Sequence, residues 1–79
     1  MTLSYFMDEK TFSLAKLLLD RLERISADSI WAHRASGVKG SLLKALEKFE
    51  EGEAEQADEA ERMMGMGFFI LEQAAKEKA

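Results

Sequence analysis

Apolar positions recur every three or four residues along most of the chain, and that period predicts three helices. In the first, over about residues 8–25, Leu14, Ala15, Leu18, Leu19, Leu22 and Ile25 form one broad apolar face. Lys16, Asp20, Glu23 and Arg24 lie opposite, and Leu17 points off the stripe. In the second, over about residues 28–51, Trp31, Ala35, Val38, Leu42, Ala45 and Phe49 are spaced 4-3-4-3-4. That spacing is a heptad seam, which Ala32 and Leu46 widen. Ser26 and Asp28 are its candidate N-caps, because a short side-chain oxygen accepts an orphan backbone N–H. Gly52 is expected to end it, since glycine takes the left-handed conformation that closes a helix. In the third, over about residues 54–76, Ala57, Ala60, Met64, Phe68, Leu71 and Ala75 keep helical spacing. Leu3, Tyr5, Phe6 and Met7 are apolar without helical phase, and are expected to extend the first helix or to fold over the core as a strap.

The connections are only a few residues long, so neighbouring helices must run antiparallel. The pattern therefore predicts an all-α fold, an antiparallel up-down-up three-helix bundle whose second and third helices are the long ones. A single helical domain is expected over residues 1–79. A chain of this length builds one small core, which seldom supplies more than about 3–5 kcal/mol. Completion of the bundle by dimerisation follows as an expectation.

Composition narrows the chemistry. The 79 residues include no cysteine, no proline and one histidine. They are too few for a Rossmann domain or a TIM barrel. The missing cysteines exclude disulfide staples, thiolate catalysis and cysteine-bound zinc. The lone His33 has Ile30 three residues before it, so the Glu-x-x-His motif of di-metal bundles is missing. The pairs Glu55/Glu59 and Asp58/Glu61 read as a solvated helix start. Ser29 and Ser36 lie one helical turn from His33, but no third group is placed to orient the imidazole as a base. Gly37-Val38-Lys39-Gly40 and Gly65-Met66-Gly67 match neither phosphate-loop pattern. No enzyme activity, cofactor or metal is expected.

Charge is unevenly distributed around a net −4. Residues 29–46 contain no acid but hold His33, Arg34, Lys39 and Lys44, whereas residues 50–61 hold seven acids and no base. Acids at the start of the third helix, and Lys76 and Lys78 at its end, both suit the helix dipole. The basic stretch through Lys48 supports an alternative reading as a nucleic-acid-binding accessory protein. Against it stand the acidic total and the spread of the bases around the helix: His33, Lys44 and Lys48 share one flank, which Arg34 and Lys39 do not join.

Four glycines, Gly37, Gly40, Gly65 and Gly67, fall inside predicted helices, each at a cost of about 1 kcal/mol relative to alanine. Folding the hairpin at Gly52 places all four at one level, which reads as close helix approach or as a notch for a partner. Ala32, Ser36 and Gly40 form a small-residue row, and Leu17, Leu43, Met66 and Phe69 fall off the main apolar faces. Met63, Met64 and Met66 beside Phe68 and Phe69 make an adaptable apolar patch. A second buried face is therefore expected, with Ser36, Gly37, Gly40, Leu43, Met66 and Phe69 as the contact surface. His33, Arg34, Lys39 and Lys44 are its expected polar contacts.

The function expected is that of a non-catalytic interaction or scaffold module acting as a homodimer or higher homo-oligomer, with a further protein partner in view. The first eight residues lack a basic leader, and the longest apolar run, residues 63–71, is far below the roughly 20 residues of a membrane span. A cytoplasmic location without membrane insertion is expected.

Overall fold

The computed structural model describes residues 8–78, so the expectation for Leu3, Tyr5, Phe6 and Met7 lies outside the described residues. Three helices form an all-α bundle: α1 (Glu9–Glu23), α2 (Ala32–Glu50) and α3 (Gln56–Lys78). α2 and α3 make the most extensive pairing, and α1 packs against both. At 1.5 Å per residue α1 is roughly 22 Å long against roughly 35 Å for α3, so it covers only part of the hairpin.

Each helix end has a local cause. Asp8 caps α1 from an extended backbone, its carboxylate accepting from the Thr11 N–H at 2.8 Å. That bond, a second from the Thr11 hydroxyl and the nearby Lys10 charge hold the Asp8 carboxyl below its ordinary pKa of 3.8. α2 closes on Gly52, whose φ is +102°. The Glu53 N–H reaches the Lys48 carbonyl at 3.1 Å and the Gly52 N–H reaches that of Phe49 at 3.0 Å. These are the two bonds of a Schellman closure, with Gly52 at its left-handed position.

The start of α2 departs from the expected residue 28. The Ser26 hydroxyl accepts from the Asp28 N–H at 3.2 Å and the Ser29 hydroxyl from the Trp31 N–H at 3.0 Å. Serine side chains that satisfy the backbone locally compete with the helix ladder, and here they hold residues 26–31 in successive turns. Neither Ser26 nor Asp28 is the N-cap; Trp31 takes that place, without a side-chain cap bond. A carboxylate from far along the chain serves this helix start instead. Glu77, near the end of α3, accepts from the Ser29 hydroxyl at 2.6 Å and from the Ile30 N–H at 3.1 Å. α2 has no acid in its own first turn, so Glu77 supplies the negative charge that the dipole favours there.

The seam of α2 is buried as the spacing predicts, from Ala35 through Val38, Leu42 and Ala45, with Leu46 added and Trp31 and Phe49 partly covered. In α1, Ala15, Leu18 and Leu22 are buried, while Leu14 is exposed rather than part of the core face. α3 buries Ala57, Ala60 and Met64 but then follows Gly67 and Ile70; Phe68 and Ala75 are exposed. The reason is local. A Cβ at Gly67 would lie 2.9 Å from Leu18 Cδ2, so the missing side chain is the space that Leu18 fills. Leu18, Leu42 and Ile70 are the largest fully buried side chains, one from each helix.

The four-glycine level does not form the close α2–α3 approach considered from the sequence. A Cβ on Gly37, Gly40 or Gly65 would meet nothing within 4 Å. Of the four, only Gly67 makes such a contact, and it makes it with Leu18 of α1.

Two outcomes follow. Gly40→Ala gains about 0.5–1 kcal/mol of stability from helix propensity. Gly67→Ala loses about 1 kcal/mol net, because displacing Leu18 overpacks the core. Urea denaturation of both variants checks the opposite signs. For Asp8, the lowered folded pKa means that its contribution is present above the ordinary value and is lost as pH falls through the folded one. Thermal melts between pH 6 and about pH 2 should show a smaller acid-induced loss in Asp8→Asn, which keeps a capping oxygen but does not titrate.

Candidate functional site

Among the described residues, one face of the α2–α3 hairpin is open. It carries a groove of about 830 Å³ to which α1 contributes no residue. On the α2 side it is walled by Arg34, Gly37 and Ser41, with Val38 beneath. On the α3 side it is walled by Arg62, Gly65, Met66 and Phe69, with Met63 and Ile70 beneath. Met66 is 48% exposed and Phe69 50%. At its middle the groove is asymmetric: Gly37 and Ser41 on α2 are small, whereas Met66 and Phe69 on α3 are large.

Aromatic contacts order the open end. The Phe69 ring meets Trp31 edge-on, with centroids 5.9 Å apart and planes at 86°. The Arg34 guanidinium lies 5.5 Å from the Trp31 ring centre, within cation–π range. Phe69 is thus pinned by its own chain while half of it still faces outward.

Toward the Gly52 turn the groove becomes polar. Ser41, which also lines the apolar part, continues into a shallower depression of about 180 Å³ with Lys44, Ala45 and Lys48 on one side and Gln56 and Glu59 on the other. Glu59 pairs with Arg62 one turn along α3. Among the described residues Arg34, Lys44 and Lys48 have no ion-pair partner.

The wall rows are periodic. On α2 the row runs Arg34, Gly37, Ser41, Lys44, Lys48, and on α3 Glu59, Arg62, Met66, Phe69, both at alternating three- and four-residue steps. Each row lies beside the core-facing positions, so that Val38 and Ile70 serve both core and groove. This is the spacing of a second coiled-coil seam.

The residues singled out from the sequence distribute as follows. Gly37, Met66 and Phe69 line the groove, with Arg34 beside them and Lys44 in its polar continuation. Ser36, Gly40 and Leu43 are exposed but line neither part. His33 is exposed outside the groove, and Lys39 is half-buried on another side of α2. Arg34 therefore joins Lys44 and Lys48 along one groove, contrary to the flank assignment from the sequence. Of the other lining residues, Met63 belongs to the methionine patch and Gly65 to the glycine level noted from the sequence, whereas Ser41 and Arg62 are not among the expected contacts. The signal for Ser41 and Arg62 is the second heptad row, one row nearer the seam than the small-residue stripe.

The groups considered for chemistry are held elsewhere. The Ser29 hydroxyl donates to Glu77 and so is not paired with His33. A second cleft of about 310 Å³ lies between the end of α1 and α3, bordered by Arg21, Arg24 and Ser29 next to the Glu77 clasp. No helix of the described residues is long and apolar enough to cross a membrane.

No family model, curated protein or solved structure matches the chain.

Proposed function

We propose that the protein is a non-catalytic helical interaction module of the cytoplasm that works by self-association through the α2–α3 groove. The observation that carries this reading is the open apolar groove itself, with Met66 and Phe69 half-exposed on a face that α1 leaves bare. Apolar groups clustered in a groove on a small domain favour a partner surface, because covering them gains about 25 cal/mol for each Å² removed from water. A chain of 79 residues has little core to spare, so association also adds to its stability.

A nucleic-acid reading draws support from Arg34, Lys44 and Lys48 on one side of the groove. It is the weaker reading. Three cations make a small footprint, the apolar stretch separates Arg34 from the two lysines, and the net charge is −4.

Sedimentation velocity from 1 to 200 µM checks both readings. Self-association gives a mass that rises with concentration, and Met66→Glu raises the dissociation constant by about 30-fold or more while the helical circular dichroism stays intact. A wild-type chain that stays monomeric over the whole range and shifts mixed DNA or RNA in a low-salt gel overturns the proposal in favour of the second reading.

A further inference from the structure

The two walls of the groove complement each other, and this indicates how a second copy sits. We infer that two copies pair about a two-fold axis parallel to the helices, so that α2 of each lies along α3 of the other. This inference rests on the self-association proposed above and specifies its partner surface. An axis in that direction leaves the level of every residue unchanged. Positions that face each other across the groove within one chain then face each other between chains.

The apolar half fits first. Counting back from the turn between α2 and α3 sets Gly37 level with Met66 and Arg34 level with Phe69, and all four line the groove. In the pair, Met66 of one copy enters the space beside Gly37 of the other, where even a Cβ would touch nothing. Arg34 reaches the outward half of the opposing Phe69, a cation on an aromatic ring. Met66 on Gly37 and Arg34 on Phe69 each occur twice by symmetry.

The polar half fits by charge. Lys44 and Lys48 stand across from Glu59 and Gln56, with Glu55 exposed in the turn that leads into α3. The same axis places both lysines along Glu55 and Glu59 of the other copy. Lys44 and Lys48, which have no ion-pair partner among the described residues, gain one there.

The competing two-fold, perpendicular to the helices, fails on the same residues. It lays each α2 antiparallel on the other α2, bringing Arg34 against Lys44 or Lys48. It also sets the Met66–Phe69 end of one α3 against the Glu59 end of its mate. Like charges oppose each other and apolar groups face carboxylates, both of which disfavour association.

Charge reversal separates these cases. Lys44→Glu/Lys48→Glu and Glu55→Lys/Glu59→Lys are prepared as two full-length chains. Each alone should dimerise about 100-fold more weakly than wild type. An equimolar mixture should recover a heterodimer, because both of its α2–α3 contacts again join opposite charges. If wild type dimerises but the lysine-reversed chain dimerises as tightly or more tightly, the parallel axis is wrong while self-association stands. If wild type is monomeric throughout, both fall together. Cross-linking provides a second measurement that does not depend on the reversed chains folding, because the native chain has no cysteine. Ser41→Cys mixed with Arg62→Cys should give a mixed disulfide dimer, and Ser41→Cys alone should give little. Efficient Ser41→Cys self-cross-linking overturns the arrangement.

Discussion

A hairpin of two long helices has two broad faces, and among the described residues one shorter helix, α1, is there to cover them. Everything else in the structure follows from which face α1 takes. α1 is seated through Ala15, Leu18 and Leu22, and at Gly67 the missing side chain admits Leu18. A Cβ there would crowd the end of the buried Leu18 side chain, which packs α1 against α3 at this point. Once α1 is seated there, the opposite face of the α2–α3 pair has no cover from it. Met66 and Phe69 are left half in water on that side.

The parts of the fold legible in the sequence were those with a strong local or periodic cause. The heptad run from Trp31 to Phe49 specified one face of α2, and that face is buried. Gly52 marked the left-handed closure, because few other residues adopt a φ near +102° without strain. What escaped had causes that a linear pattern does not display. The late start of α2 comes from serine hydroxyls bonding their own backbone, and its charge partner is Glu77, 47 and 48 positions from Ile30 and Ser29. Core membership in α3 moved from Phe68 and Ala75 to Gly67 and Ile70 because a glycine was recruited as a contact, which hydrophobicity alone does not anticipate.

The expected second face and the groove lie on the same two helices but share only some of their rows. Phase measured from the core seam favoured the far side of α2, with Ser36, Gly40 and Leu43. The groove instead lies next to the seam, and only Gly37, Met66 and Phe69 fall in it among the six expected contacts. Adjacent rows are what a growing helical bundle requires. A helix added beside a pair packs against the positions flanking the existing core, so its contacts share residues such as Val38 and Ile70 with that core. The uneven charge of the chain takes on a spatial meaning here as well. The basic stretch and the acidic stretch end as facing walls of one groove, Lys44 and Lys48 against Glu59.

The central claim is that this groove, rather than any other exposed apolar site, is where copies of the chain meet. Leu14, Leu17 and Leu43 are exposed to a similar degree and lie outside it, so they serve as internal controls. The most direct measurement is a dilution series followed by amide chemical shifts. The account predicts concentration-dependent shifts at Gly37, Ser41, Gly65, Met66 and Phe69, with Leu14, Leu17 and Leu43 unchanged. Shifts centred on those three leucines, or spectra that do not change with concentration, contradict it.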